Sequence, residues 1–339
     1  MTPAERLRRK NEFDGNLVVG VRQFNLATGR GDCLKHRIQQ SERAQLVDPS
    51  TGLLREELSI WRSCPVCGAD EGKLLFIKEG FRHLKCSACG MVYVNPVLRE
   101  ERLHSFYQDE DSYRQVLLNE LNLSMDRKKF QYGLDLIEER MPPKGNLLDV
   151  GCGPGVFLEE ARERGWHVHG VEFNSWCVQR LREMSIEVID VPIQQATLPH
   201  DFYQCVTLWT VLEHVVDPEN LLKDVHRVLA PGGVLLILVP NIDSLANRIL
   251  HEESTTFSGE AHVNLFDVST LTRLLEKVEF ELIECETILT QLGTINNYLN
   301  YENPQFGEGG PVLDFLTAEY IHERMLGYLL LALAKAHKE

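Results

Sequence analysis

The stretch LLDVGCGPG, from Leu147 to Gly155, decides the fold of this 339-residue chain. Its apolar first half predicts a short buried strand, and its glycines at every second position predict a tight turn where the backbone can approach a ligand closely. An acid, Glu172, closes the next predicted strand about 20 residues after the first glycine, where a ribose-binding carboxylate lies in such sheets. A dinucleotide site would need a glycine at the sixth position of the motif, but Val156 stands there. The pattern therefore favours a nucleoside without a pyrophosphate.

Strand and helix patterns alternate from residue 146 onward, which predicts a parallel sheet with right-handed crossovers. The predicted strands are Asn146–Val150, Val168–Glu172, Glu187–Asp190, Gln204–Trp209, Val234–Val239 and Glu281–Glu286. The predicted helices are Val156–Arg164, Trp176–Met184, a helix that begins at Asp217-Pro218-Glu219 and ends by Pro231, and Ser269–Val278.

Four segments in this order resemble the class I S-adenosylmethionine (SAM)-dependent methyltransferases. They are Leu147–Gly155, Gly170–Asn174, Leu208–Val215 and Val228–Gly233, within a resemblance that covers roughly residues 125–339. The resemblance implies an α/β, Rossmann-like, doubly wound fold with a mostly parallel seven-stranded sheet that ends in an antiparallel edge strand. The implied activity is methyl transfer from SAM to a small-molecule acceptor, a natural-product or sugar-like compound, at oxygen, with transfer to nitrogen or carbon as the alternatives.

The resemblance also implies where SAM binds. Alternate glycines of the loop admit its methionyl part, Asp149 faces its ammonium group, and Glu172 accepts from both ribose hydroxyls. Ile193 and Gln194 stand where relatives often place an acid beside the adenine amine. The full set of expected cofactor residues is Asp149, Gly151, Cys152, Gly153, Gly155, Glu172, Phe173, Asn174, Ile193, Gln194 and Trp209.

Two histidines are candidate catalytic bases. Leu212–Val215, which reads LEHV, resembles the ubiquinone-type O-methyltransferases, and its His214 could take a hydroxyl proton because imidazole titrates near neutral pH. His262 is the second candidate, since a histidine at this point often faces the active site in relatives. The alternatives are that His214 orders its own turn and that His262 is a solvent-exposed loop residue.

A cysteine cluster near the N-terminus predicts a metal site. Two knuckles, CPVCG and CSACG, place Cys64, Cys67, Cys86 and Cys89 in matched pairs. Four thiolates satisfy a tetrahedral Zn²⁺ and leave no open position, so we expect a structural zinc ribbon with hairpin strands Lys73–Ile77 and Phe81–Leu84. An iron site with the same ligands and a redox pair are the rival interpretations.

Composition narrows the choice of partners and location. The net charge of −15 argues against a nucleic-acid backbone as main partner. No apolar stretch approaches the roughly 20 residues that span a bilayer, and the N-terminus lacks a signal-peptide core, so we expect a cytoplasmic protein that engages no membrane.

Two alternative functions stay open. One is an RNA or protein methyltransferase that docks through the ribbon, and the other is a non-catalytic SAM-binding scaffold. The oligomeric state is not indicated.

The predicted organisation has four parts. Residues 1–60 form an extension of unclear role with a strand at Asn16–Phe24 and a helix at Arg37–Leu46; 61–95 form the ribbon; 96–145 form a helical lid or linker; and 146–339 form the SAM-binding domain. Phe106, Tyr107 and Tyr113 belong to the predicted lid. Within the last part, 287–326 is a substrate-side cap whose segment 287–311 has too little apolar character for a core element. Val312–Met325 predicts a helix, and Tyr328–Ala334 a last strand rather than its continuation, because Gly327 interrupts a helix.

Overall fold

The computed structural model describes residues 1–28, 45–99, 102, 118–141 and 145–338. Its strands are β1 Val47–Asp48, β2 Leu53–Leu54, β3 Ser59–Ile60, β4 Gly72–Lys78, β5 Phe81–Cys86, β6 Val92–Val94, β7 Val97–Leu98, β8 Asn146–Val150, β9 His167–Val171, β10 Glu187–Ile189, β11 Tyr203–Trp209, β12 Leu229–Pro240, β13 Asn264–Leu265, β14 Phe280–Ile288 and β15 Leu329–Ala336. Its α-helices are Pro3–Phe13, Gly15–Val18, Val21–Ala27, Glu120–Glu138, Val156–Glu163, Ser175–Glu183, Pro218–Val228, Leu245–Leu250, Val268–Lys277, Leu292–Leu299 and Ala318–Glu323. Within these ranges no helix combines the length and apolar character that crossing a bilayer requires.

A seven-stranded mixed sheet forms the centre of the molecule, in the order β10-β9-β8-β11-β12-β15-β14. The strands from β10 to β12 in that order run parallel, whereas β15 is antiparallel to both of its neighbours, β12 and β14. The predicted antiparallel last strand is therefore confirmed, but its expected place at the edge is wrong. Residues 329–334 are buried throughout, which suits an inner strand, and β14 takes the edge instead.

Helices cover both faces of this sheet. Leu235 and Ile237 of β12 enter one core with Val225 of the Pro218–Val228 helix. The alternating Leu236 and Leu238 enter a second core, which also contains residues of the Glu120–Glu138 and Val156–Glu163 helices. Side chains alternate between the two faces of a strand, so a strand that is apolar at successive positions must be covered by other elements on both faces of the sheet. The ends of the strands are the free part of the sheet, and that is where a ligand can enter.

The predicted elements of the central sheet form close to their expected positions. β8 has the predicted bounds, and β12 begins earlier, at Leu229. The helix after β11 begins as expected at Pro218, with the Asp217 side chain accepting from the backbone N–H of Asn220 at 3.1 Å. The helix before β14 begins one residue early, at Val268, where Asp267 and Thr270 form a reciprocal capping box.

The predicted strand at Asn16–Phe24 is wrong. Two short helices, Gly15–Val18 and Val21–Ala27, occupy this segment, and Gly20 separates them with φ +87°. The Asp14 carboxylate caps the first helix by accepting from the backbone of Asn16 and also accepts from the backbone and hydroxyl of Thr290, at 2.6 and 2.7 Å. The N-terminal segment is thus held by a partner almost 280 residues away, which local alternation cannot reveal.

The tail before β15 also departs from expectation. A helix, Leu292–Leu299, forms in the segment predicted to lack core elements, because Ile295 packs against Ala246 and Leu250. The predicted Val312–Met325 helix shrinks to Ala318–Glu323. Most of the predicted Arg37–Leu46 helix, together with Phe106, Tyr107 and Tyr113, lies outside the described residues. The division into parts and the substrate-side cap at 287–326 stay predictions.

The cysteine-bearing segment forms the predicted hairpin, β4 with β5, and adds two strands to it. The sheet has the order β13-β6-β5-β4, so Asn264–Leu265 of the C-terminal half pairs with β6. This pairing attaches the predicted ribbon to a loop that follows the central sheet. The attachment was not predicted, because β13 is only two residues long.

Candidate functional site

A cavity of about 930 Å³ opens at the carboxyl ends of β8, β9 and β11. Residues 149–154 of the glycine loop and Glu172 form one part of its wall, and residues 209–211 and 214–217 form another. Ile193 and Gln194 also line the cavity. Most of the expected cofactor residues therefore meet at one place, which is the position that ligands take in open sheets of this kind.

The glycine loop has a backbone that only glycine accepts easily. Gly151 and Gly155 have φ +74° and +83°. A Cβ atom on Gly151 would lie 2.7 Å from Val211, and one on Gly155 would lie 2.5 Å from Leu181. Gly155 and Asn174 are not among the lining residues of the cavity in the described part of the chain. Gly155 instead allows the helix that follows to pack closely against its neighbour.

Glu172 connects the glycine loop after β8 to the segment after β9 in the expected cofactor site. Its carboxylate accepts from the backbone N–H of Gly153 at 2.9 Å, and from those of Phe173 and Asn174 at 2.8 Å each. Burial raises the pKa of Glu172, although these hydrogen bonds act in the opposite direction. The carboxylate thus braces the glycine loop while it lines the cavity.

Asp149 lies beneath the loop at the end of β8 and is 2% exposed. It accepts a hydrogen bond from the Thr207 hydroxyl at 2.7 Å. Burial, with a smaller contribution from the Glu172 charge, raises the pKa of Asp149 to about 8. A cation next to this carboxyl group would favour its ionised form.

Aromatic rings form the floor of the cavity. Trp209 lies 4.9 Å from Phe130 and 5.2 Å from Phe157, measured between ring centroids. Trp209 packs in the core and also lines the cavity. Phe130, with Asp126 and Lys129, comes from the Glu120–Glu138 helix. The sequence indicated a lid in this region but none of these residues, because a helical pattern does not say which cavity a face meets.

The two candidate histidines lie together. The ring centroids of His214 and His262 are 4.9 Å apart, and Nε2 of His214 is 3.7 Å from Oε1 of Glu213. Among the described residues, His214 lines the cavity, whereas Glu213 and His262 are not among its lining residues. Burial lowers the pKa of His214 to about 3, with His262 contributing, and lowers the pKa of His262. Burial raises the pKa of Glu213 to about 8.

Arg62 holds the loops that carry these histidines, and sequence reasoning missed it. Its guanidinium group donates to the carbonyl oxygens of Val216 at 2.6 Å and Val263 at 2.7 Å, and to the side-chain oxygen of Asn264 at 2.9 Å. Burial lowers the pKa of Arg62 to about 10. An arginine two residues before a cysteine knuckle has no sequence signature that would distinguish it from a surface residue.

The four cysteines converge as the knuckles predict. One ligand atom from each lies within 4.8 Å of the others, and the Cys64–Cys89 and Cys67–Cys86 sulfur pairs are each 3.5 Å apart. A disulfide would need about 2.05 Å. Tetrahedral zinc with Zn–S bonds of about 2.3 Å separates sulfurs by about 3.8 Å, so this arrangement fits the ion.

Comparisons with known proteins agree with this geometry. Residues 123–285 match a family model described as a methyltransferase domain. The ubiquinone biosynthesis O-methyltransferase of Aeromonas salmonicida is 32% identical over 102 residues, which cover 28% of this chain and 43% of the relative. That of Hahella chejuensis is 29% identical over 150 residues, which cover 42% and 59%. The chain spans about half the length of these curated relatives.

Two solved structures also match this chain, with TM-scores below 0.5. One is a Burkholderia thailandensis 1,6-didemethyltoxoflavin-N1-methyltransferase with bound S-adenosylhomocysteine, at 12% identity and a TM-score of 0.48, covering 79% of this chain and all of the other (100%). Another is the PH0226 protein of Pyrococcus horikoshii, at 18% identity and a TM-score of 0.47, covering 69% and 99%.

The family match and the relatives together support a SAM-dependent methyltransferase domain over residues 123–285 of this chain. The prediction of a SAM-dependent methyltransferase is confirmed at this level.

Proposed function

We propose that this protein transfers the methyl group of SAM to a small-molecule acceptor, at an oxygen atom. The observation that carries the proposal is that a single cavity is lined both by the glycine loop with Glu172 and by His214. At about 930 Å³ the cavity is near the upper end of the roughly 300–1,000 Å³ typical of ligand sites. That size favours two occupants, donor and acceptor, side by side.

The proposed SAM site assigns a role to each wall of the cavity. The glycine loop would receive the methionyl part, and the buried Asp149 carboxyl group would face the ammonium group in its ionised form. Glu172 has its oxygens directed along the loop and would accept from the ribose hydroxyls. Phe173, Ile193 and Gln194 would border the adenine.

The proposed reaction needs little chemistry from the protein. The sulfonium of SAM already activates its methyl group, so the protein must chiefly hold donor and acceptor in line. A hydroxyl acceptor must also lose its proton, and the His214–His262 pair is proposed to promote that loss. The names of the curated relatives support oxygen as the acceptor atom, because ubiquinone biosynthesis O-methyltransferases act at oxygen.

The cysteine cluster is proposed to hold a structural zinc. Cys64, Cys67, Cys86 and Cys89 would supply a complete thiolate shell, which leaves no position for substrate. The ion would stabilise the β4–β5 hairpin and, through β6, the attachment of the ribbon to β13. No step of the methyl transfer is assigned to it.

Labelled SAM tests the proposed function. The full chain should release S-adenosylhomocysteine with at least one member of a panel of phenolic and sugar hydroxyl compounds. Glu172→Ala should weaken SAM by about 1–3 kcal/mol, roughly 5- to 150-fold, because it removes a charged acceptor. Glu187→Ala is the matched control, since Glu187 is an exposed acid at the neighbouring strand.

His214→Ala should lower turnover and leave SAM affinity nearly unchanged, because the proposed cofactor contacts come from the glycine loop and Glu172 and none comes from His214. Unchanged SAM affinity in Glu172→Ala, measured by calorimetry, contradicts the cofactor assignment. Tight SAM binding with no product across oxygen, nitrogen and carbon acceptors would instead favour a non-catalytic scaffold.

A further inference from the structure

Thr210, the residue directly after β11, has a backbone conformation that its side chain disfavours. Its φ is +54°, in the left-handed region. In the part of the chain that the structure describes, ten residues other than glycine have positive φ, and Thr210 is the only one branched at Cβ. A branched side chain is strained in this region, and residues held under such strain cluster at functional sites. The conformation of Thr210 therefore needs a reason.

The surroundings of Thr210 show what holds this conformation and where the side chain lies. The backbone N–H of Thr210 donates to the carbonyl oxygen of Leu238 at 2.9 Å, which continues the pairing of β11 with β12 one residue beyond the strand. Thr210 is exposed and lines the cavity, although Trp209 before it is buried. The backbone is thus fixed against the sheet while the side chain is open to the cavity.

Thr210 lies between the cofactor side and the histidine side of the cavity. Val211, the next residue, is so close to the glycine loop that a Cβ atom on Gly151 would lie 2.7 Å from it. His214 follows in the same turn, and its backbone N–H donates to the carbonyl oxygen of Val211 at 3.0 Å. A group held by Thr210 therefore lies beside both the proposed SAM site and the proposed base, where in-line transfer needs the acceptor atom.

The hydroxyl group of Thr210 can only accept a hydrogen bond from a ligand. Its hydrogen is directed at the carbonyl oxygen of Trp209, 2.7 Å away, because a carbonyl oxygen cannot donate. A hydroxyl oxygen has two lone pairs, and no N–H or O–H group of the described residues donates to those of Thr210. A ligand that pairs with this oxygen must therefore bring its own hydrogen.

We propose that Oγ1 of Thr210 accepts a hydrogen bond from the acceptor atom and holds that atom in line with the methyl group of SAM. This inference rests on the proposed function and narrows its substrate class. The acceptor atom carries a hydrogen that it can donate, as a hydroxyl group or an amine does, which sets aside carbon nucleophiles.

The reaction with a hydroxyl acceptor follows from this contact. The O–CH₃ bond forms as the S–CH₃ bond breaks, and the electron pair stays on the sulfur of S-adenosylhomocysteine. The hydroxyl proton is lost to solvent, and this loss is the step that the His214–His262 pair is proposed to promote. Thr210 takes no proton, because its oxygen already carries one that is bonded to Trp209.

Turnover of the full chain tests the role of the oxygen. The panel contains phenolic and sugar hydroxyl compounds, amines and carbon acceptors, and the probe is the member from which the unaltered chain releases most S-adenosylhomocysteine. Thr210→Val keeps the branched shape and removes the oxygen, so kcat/KM should fall roughly 5- to 150-fold, because the hydrogen of the acceptor loses its partner. Thr210→Ser keeps the oxygen, and its loss should be less than about threefold. Equal SAM affinity by calorimetry shows that both variants are folded.

Unfolding in urea tests the strain. Thr210→Gly should raise the midpoint and lower kcat/KM, because glycine adopts the left-handed backbone without strain. Ser185→Gly is the matched control, since Ser185 is exposed, has φ +55°, is not branched at Cβ and is not among the lining residues of the cavity in the described ranges. It should raise the midpoint less and leave kcat/KM unaltered. A gain for Thr210→Gly no larger than that of the control contradicts the strain from which the inference starts.

The outcomes separate this inference from the proposed function. If the unaltered chain methylates a hydroxyl group or an amine and Thr210→Val does so at the same rate, the role of Thr210 is excluded and the methyltransferase stands. Transfer to carbon acceptors alone also overturns the inference. If SAM binds but no member of the panel is methylated, the proposed function fails, and the inference fails with it.

Discussion

The four-cysteine cluster and the Glu213–His214–His262 cluster are two groups of polar side chains built in opposite ways. The cysteines supply four equal donors from two short knuckles, and their shell is complete. The second cluster joins three unlike side chains from a turn and a distant loop, and one of them lines the cavity. A complete thiolate shell leaves no position for substrate, whereas a histidine on the cavity wall can reach it. Access to the cavity therefore separates a structural role from a chemical one.

The two clusters are also physically connected. Arg62 lies two residues before Cys64, and its guanidinium group donates to the carbonyl oxygens of Val216 and Val263. These carbonyls belong to the turn and the loop that carry the histidines. The ribbon thus supports the second cluster without contributing a residue to it.

The largest effect is expected from loss of a cysteine ligand. Cys86→Ser should release zinc and unfold the ribbon, because zinc binding contributes about 10–16 kcal/mol in isolated zinc fingers. Methyl transfer should then fall steeply while SAM affinity is largely retained, since the glycine loop and Glu172 directly follow β8 and β9 in the central sheet. Zinc analysis, calorimetry with SAM and turnover measure the three quantities. Cys285→Ser is the control, because Cys285 lies outside the cluster. Full turnover without ribbon zinc would show that the two clusters are independent.

A smaller effect is expected from Arg62→Met, which keeps the length of the side chain. It removes the Arg62 donor from the carbonyl oxygen of Val216 and from the side-chain oxygen of Asn264, at a cost of up to about 1–3 kcal/mol for each group. The carbonyl oxygen of Val263 keeps the backbone N–H of Val94 as a donor, at 3.0 Å. We expect a lower free energy of unfolding in urea and a lower kcat, with zinc content and SAM affinity preserved. Arg82→Met is the matched control in the same ribbon, since Arg82 contacts Trp61 rather than the histidine loops. An unaltered kcat in Arg62→Met would show that Arg62 stabilises the fold and has no effect on turnover.

The smallest effect is a pH dependence of SAM binding that belongs to the cofactor side of the cavity. The pKa of Asp149 is raised to about 8, so this carboxyl group is mostly protonated below that pH. Binding of the SAM ammonium favours the ionised form and must release a proton, so affinity should rise with pH toward 8, by at most about tenfold per unit. Asp149→Asn should flatten this dependence. Calorimetry at several pH values measures it, and an equal slope in both proteins would assign the dependence to another group.

Much of the cofactor crevice could be predicted from sequence because its parts are local. The glycine loop and Glu172 each follow a strand directly, and parallel strands bring their carboxyl ends to one edge. The histidine cluster was predicted only in part. His214 and His262 were candidates for the base, but Glu213 was given no catalytic role, because nothing in LEHV says that its carboxyl group is buried with no hydrogen-bond partner among the described residues. Arg62 and the cavity face of the Glu120–Glu138 helix had no local signal.

The sequence by itself determined where the central strands and helices lie along the chain, the glycine turn and the convergence of four cysteines. Periodicity, capping residues and knuckle spacing act within a few residues, so they can be recognised in a chain read in isolation. Only the tertiary structure decided that β15 inserts inside the sheet, that the N-terminal segment folds as helices against Thr290, and that an acid and two histidines meet at one point. These outcomes depend on contacts between distant segments, and burial at such contacts outweighs the local preferences on which sequence reasoning relies.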